Sequence, residues 1–391
     1  ALRFKGFNDD WAQRKLGDYG SVAMNKRIFK DQTNPNKGIP FYKIGTFGKK
    51  PDAYISEELF KSYKEKYPYP KKGDLLISAS GSIGRIIEYT GQKAYYQDSN
   101  IVWLNHNDKI TNHYLKAYYQ IIHWDGIEGS TIKRLYNKNI IQTKISVPDL
   151  EEQIKLGNII SCMESLLSLQ QRKLQQLKLL KKAMLQDLFA EQQIPKLRFS
   201  GFKENWAQRK LGDIANILRG ASPRPIKDPK WFDENSNIGW IRISDVTSQH
   251  GRVRTLSQHI SKKGQEKTRV VKPKSLLLSI AASIGYPVIT YVETGVHDGF
   301  IIFNQPDFDL DFMFFKLQSI KKMWNKYGQP GSQVNINISI VSNTKISIPK
   351  VKEQEVISQL LNKIDQNLLL QQNQLNHLQK AKQFLLQNMF I

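Results

Sequence analysis

Two stretches of the chain repeat hydrophobic residues on a seven-residue period. With Ile160 at heptad position a, the first runs Ile160, Leu167, Leu174, Lys181 and Leu188 at a, with Met163, Gln170, Leu177 and Met184 at d. The second runs Leu361, Leu368, Leu375, Lys382 and Met389 at a, with Ile364, Gln371, Leu378 and Leu385 at d. Even the polar interruptions coincide, glutamine with glutamine and lysine with lysine. This pattern predicts one helix over about 149–190 and another from about 350 to the end. Acidic residues stand in the first turn of the first helix, where they complement the helix dipole. Two stripes in one phase predict that the helices pair antiparallel as a coiled coil about a pseudo-twofold axis. At about 1.5 Å per residue, roughly 40 residues give a rod of about 60 Å.

Ahead of each helix the pattern changes. Short β-branched or aromatic runs ("DLLIS", "GRIIEY", "NIVWL", "KISVP") alternate with Gly, Pro, Asn and Lys clusters, which reads as strands and loops with a few helices between them. The chain is a tandem duplication. "LRFKGFNDDWAQRKLGD" from Leu2 recurs as "LRFSGFKENWAQRKLGD" from Leu197, identical at 13 of 17 positions. "DLLISASGSIG" from Asp74 returns as "SLLLSIAASIG" from Ser275, and "KISVPDLEEQ" from Lys144 as "KISIPKVKEQ" from Lys345. A period of roughly 195 residues is far too long for a solenoid, so each copy is expected to fold as a domain. The predicted class is α+β: globular α/β domains at 1–149 and 196–349, with long helices at 150–195 and 350–391.

Composition adds a partner. Lys and Arg number 58 against 35 Asp and Glu, a formal charge of +23, which attracts polyanions and nucleic acid first among them. No stretch has the apolar length of a membrane span, and neither end reads as a signal peptide. The chain begins at Ala1 without a methionine, so a few native residues are expected to precede it. A single cysteine, Cys162, excludes an internal disulfide and fits the cytoplasm; within a helical pattern it is expected to be a small buried hydrophobe.

Catalytic signatures are missing from the sequence. It has no Gly-x-Gly-x-x-Gly, no phosphate-binding Gly-x-x-x-x-Gly-Lys-[Ser/Thr] and no asparagine-proline-proline-aromatic run. The nearest approach to the last is "NQPDF" from Asn304. No Pro-Asp pair is followed by the Glu-x-Lys of a metal nuclease, and the seven histidines lack metal-ligand spacing. The residues alone leave three readings open: a non-catalytic sequence-reading subunit, a nucleic-acid enzyme of unrecognised fold, and a basic scaffold without sequence preference.

Two unlike globular domains, each joined through Pro-x-x-x-Glu-Gln to a long helix, resemble the specificity subunit of Type I restriction-modification systems. The carriers are the repeated openings, the "LLxSxxxSIG" strands and the two junctions, and they span essentially the whole chain. The resemblance implies that each globular part is a target recognition domain reading half of a split double-stranded DNA sequence. It implies that the helices set the spacing and seat two modification subunits, with restriction subunits able to join. S-adenosylmethionine then belongs to the modification subunits, and ATP and Mg to the restriction subunits, so this chain itself is expected to hold no cofactor, no metal and no active site. Its task is to fix register while the modified adenine is flipped out of the stack.

Phosphates call for Lys, Arg or backbone amides, and base edges for Arg on guanine and Asn or Gln on adenine. In the first domain the candidates are Lys26, Arg27, Lys43, Lys49, Lys50, Arg85, Lys133 and Arg134. In the second they are Arg219, Ser222, Arg224, Arg242, Arg252, Arg254, Lys262, Arg269, Gln333 and Asn335. Gly81, Gly84 and Gly285 suit tight turns. Trp11 and Trp206, kept in both openings, read as packing residues, as do Trp103, Trp231 and Trp240.

Overall fold

The computed structural model describes residues 2–124, 134–189, 193–280, 284–327 and 336–390. Two compact units emerge, and neither is continuous in sequence: one comprises 1–171 with 373–391, the other 172–372. The long helices, Leu150–Asp187 and Val351–Met389, each contribute to both.

In the first unit, strand Ala12–Lys15 of the opening pairs antiparallel with Lys144–Val147 of the junction. A four-stranded antiparallel sheet runs in the order Gly20–Ala23, Ile101–His106, Leu75–Ser78, Ile86–Glu88. A second sheet holds Ala53–Ile55, Ile39–Tyr42 and Tyr95–Tyr96. The second unit repeats the plan. Ala207–Lys210 pairs with Lys345–Ile348, and the main sheet runs Asn216–Arg219, Phe300–Asn304, Ser275–Ser279, Pro287–Thr290, Arg252–Val253. Leu75, Leu76 and Ile77 are buried, as are Leu276, Leu277 and Leu278, because the central strand has both faces covered. Trp103, Trp231 and Trp240 are buried too.

At Gly84 and Gly285, counterparts in the two copies, the conformation requires glycine. Gly84 and Gly285 have φ of 78° and 73°, and a Cβ would stand 2.8 Å from the Trp124 ring in one and 2.4 Å from the Trp324 ring in the other.

The duplicated opening and the duplicated junction turn out to be two halves of one anchor. Glu152 is fully buried, and Arg3 grips it with Nε and Nη2, each at 2.8 Å, while Trp11 Nε1 donates to it at 3.1 Å. In the second unit Arg198 grips Glu353 through two bonds of 2.8 Å, and Trp206 Nε1 donates at 3.3 Å. A buried carboxylate is tolerated only when paired and hydrogen-bonded in this way. The adjoining glutamines complete the joint. Gln153 accepts from Thr111 N at 2.9 Å and donates to the Lys109 and Pro148 carbonyls; Gln354 accepts from Asp309 N at 2.9 Å and donates to Pro349. The two tryptophans therefore do more than pack: each supplies a hydrogen-bond donor to a helix-entry glutamate buried in the interior.

Within each unit the two helices run antiparallel. In the first, Gln170 Nε2 donates to Gln374 Oε1 at 3.0 Å and Lys382 Nζ meets Glu164 at 2.9 Å, while Leu156 and Ile160 share a core with Leu386, Met389 and Phe390. In the second, Lys181 Nζ meets Asp365 at 2.6 Å, and Leu188 shares a core with Ile357 and Leu361. Every predicted a and d residue is buried or half-buried, in keeping with the coiled-coil reading. The lysines at a thus have a reason. Glu164 and Asp365 are counterparts under the 201-residue offset, as are Lys181 and Lys382, so each lysine pairs with the carboxylate contributed by the other helix. Such polar seam contacts fix register. Cys162 is a correction: it is exposed, because two residues beyond an a position a side chain points away from the seam.

Candidate nucleic-acid interface

In the first unit the chain leaving strand Gly20–Ala23 and the turn entering its partner Ile101–His106 meet at one end of the sheet. There Arg27 Nε donates to Asp98 Oδ2 at 2.9 Å, with 60% of the arginine side chain exposed. Ser99, held at φ 59°, donates to the same carboxylate at 3.2 Å. Lys26 Nζ lies 5.0 Å from the Tyr67 ring, and its carbonyl accepts from Tyr95. Arg134 bridges to Ser80, whose hydroxyl donates to Asn100 beside Ser99. Arg134, Leu135, Tyr136, Asn137 and Lys138, with Met24 and Ser99, line a hollow of about 450 Å³. The loop 43–50 is fastened to this end of the sheet by Ile44 N donating to Gln97 Oε1 at 2.9 Å. It carries exposed Lys49 and Lys50, and Lys43, which meets Asp52 at 3.0 Å. Exposed Arg85 stands over Gly48. The structure thus gathers Lys26, Arg27, Lys43, Lys49, Lys50, Arg85 and Arg134 around loops at one end of the domain. Lys133 lies outside the described residues.

The second unit builds its counterpart around Asp298. Ser222 Oγ donates to Oδ1 at 2.7 Å, Arg224 Nη2 meets Oδ2 at 2.6 Å, and Arg219 Nε donates to the Asp298 carbonyl at 2.8 Å. Arg269 Nε extends the cluster, donating to the Arg219 carbonyl at 2.8 Å. Burial pushes the Asp298 carboxyl up, but Ser222, His297 and Arg224 together hold it below the usual carboxylate value. Neighbouring His297 packs edge-on against buried Trp240 with centroids 5.8 Å apart, and its burial lowers its pKa.

The remaining candidates of this domain lie outside that cluster. Arg242 caps the helix Ile243–Ser248 and donates to Ser257; Arg254 is exposed, with its guanidinium 4.3 Å from the Tyr291 ring; Lys262 is exposed in the turn Lys262–Gln265. Arg252 is a correction. Only 18% of its side chain is exposed, it donates to Asp311, Tyr291 and Asn362 at 2.6–2.7 Å, and it lies 4.5 Å from the Phe314 ring. Its charge ties the domain to the second long helix and is not presented to a phosphate. Gln333 and Asn335 lie outside the described residues.

Sequence reasoning missed Asp98 and Asp298, having looked only for cations and amides. Their signal was present: a lone aspartate, in "QDSN" and "VHDGF", just ahead of a buried strand in a basic chain.

Two α+β domains with arginine-bearing loops at one sheet end, each clamped to a long helix by the same anchor, define a duplicated, helix-linked class of protein. The chain belongs to the family of the Type I restriction modification DNA specificity domain, whose pattern it matches twice, over residues 8–179 and 203–380. It is 56% identical over 153 residues to a type I restriction enzyme specificity subunit of Haemophilus influenzae, a match spanning 39% of this chain and only 40% of that relative. A type I restriction enzyme specificity subunit of Methanocaldococcus jannaschii is 25% identical over 401 residues, covering 96% of this chain and 91% of the relative. In fold, the chain resembles the crystal structure of the Type I restriction-modification S subunit from M. genitalium, with a TM-score of 0.64 at 14% identity over 100% of this chain and 98% of that one. A chain from a structural study of type I complex assembly and conformational transition aligns over 98% of each chain, with a TM-score of 0.56 at 15% identity. Among the described residues no helix is long and apolar enough to cross a membrane.

Proposed function

We propose that this chain reads a bipartite DNA target, one half with each globular domain, and thereby directs partner subunits that methylate adenine N6 or cleave the DNA. The carrying observation is the contrast between what the two copies share and what they do not. The Arg–Trp–Glu anchors and seam ion pairs correspond residue for residue, whereas the loops around Asp98 and Asp298 carry different cations. One scaffold thus bears two reading surfaces. In this reading the chain is non-catalytic and holds no cofactor; two modification subunits bring S-adenosylmethionine, and restriction subunits bring ATP and Mg. The complex works in the cytoplasm. Exposed apolar residues on the outer faces of the helices, among them Leu169, Leu179, Leu369 and Leu370, supply area on which protein partners can dock.

Exchange of the second globular domain for that of a relative with another target tests this directly. Methylation mapping is expected to show one half of the motif replaced and the other half and the spacing retained. A change in both halves would contradict independent reading.

A further inference from the structure

In both units the turn that enters the strand beside the first sheet strand carries an aspartate holding an exposed arginine. Asp98 precedes Ile101–His106 and pairs with Arg27 at 2.9 Å; Asp298 precedes Phe300–Asn304 and pairs with Arg224 at 2.6 Å. The arginines reach these carboxylates from unrelated loops, "AMNKR" and "RGASPR", and at different distances past their strands, which end at Ala23 and Arg219. What recurs is the pair, not the loop.

Stability does not explain it. The arginine side chains are 60% and 72% exposed, and ion pairs of that kind contribute little. On a face that meets phosphates, a carboxylate also works against binding. Its compensating effect is on geometry. The aspartates are themselves fixed, Asp98 by Ser99 and Asp298 by Ser222, so each can hold a guanidinium in one pose and reduce the ordering that binding would otherwise require. Arg27 is held through Nε, which leaves its terminal nitrogens as the edge that can meet guanine O6 and N7.

We infer that Asp98 and Asp298 are positioning residues for sequence specificity, each presetting one arginine, Arg27 or Arg224, to read a guanine in one half of the target. The inference rests on the DNA-reading function proposed above. The test uses the full chain assembled with its modification subunits. N6-methyladenine is mapped first, and the complex is then titrated at several salt concentrations against a duplex of the mapped motif and a scrambled duplex. Asp98→Ala and Asp298→Ala are expected to relax one position each, in different halves, and to lower the motif-to-scrambled affinity ratio about tenfold. Affinity for the scrambled duplex should stay level or tighten, since a negative charge has gone. Arg27→Lys and Arg224→Lys keep the charge, so they should relax the same positions without changing the salt slope, and they decide the matter if an alanine variant fails to fold. An unchanged motif, an equal loss on both duplexes, or relaxation of both halves by one substitution would overturn the inference alone. A wild-type map without a split motif would overturn it together with the DNA-reading function.

Discussion

Replacing Trp206 with alanine is expected to destabilise the second unit by about 3–5 kcal/mol, read as the shift of its transition in chemical denaturation. The ring is 1% exposed and packs within the core that includes Leu188, Phe312 and Leu361, so its loss leaves a cavity where globular domain and helix meet. It also removes a donor from the buried Glu353 carboxylate, which keeps Arg198. Trp206→Phe separates the two effects. Most of the volume remains and only the N–H is lost, so a cost of about 1–3 kcal/mol is expected. Phenylalanine as damaging as alanine would show that the hydrogen bond, not packing, dominates. Alanine costing under about 1 kcal/mol would contradict the anchor altogether. The half-exposed counterpart, Trp11, should give the smaller loss of the two.

Lengthening the helices should have the largest effect on recognition. Seven residues inserted into the Leu174 to Leu188 region of the first helix alone displace Lys181 from Asp365 and break the pairing seam, so recognition should be abolished or its spacing altered. Matched insertions after Gln171 and Gln372, which correspond under the 201-residue offset, preserve the heptad phase of both helices. Each adds about 10 Å at about 1.5 Å per residue, the length of about three base pairs of B-DNA. Each half-site should keep its bases while the spacer between them changes. Methylation mapping of the doubly extended chain reads this out, and an unchanged spacer would count against the helices as the ruler.

The parts legible in the sequence were those with a local period or a verbatim repeat. The heptads picked out two helices whose a and d residues are all buried or half-buried, and alternating short apolar runs placed Leu75–Ser78, Ile101–His106 and Lys144–Val147. The repeated opening marked Arg3 and Trp11 as distinctive but could not name Glu152 as their partner. That contact spans 149 positions, and nothing local announces that a glutamate will be buried. Arg252 shows the same gap from the other side. It looked like any surface cation until Asp311 and Asn362 converged on it from helices far along the chain. Cys162 was misplaced for a different reason: the general tendency of cysteine to be buried outweighed a heptad position that already pointed it outward. Of the candidate interface, the cations were legible and the carboxylates that hold them were not, because a search for polyanion contacts discards acidic residues.

The most direct measurement is a map of N6-methyladenine across the genome of the native host, with and without this gene. Loss on deletion of a single split motif, with fixed spacing and methyladenine in each half, is the expected result. Methylation that persists unchanged without the gene would contradict the proposal that this chain directs it.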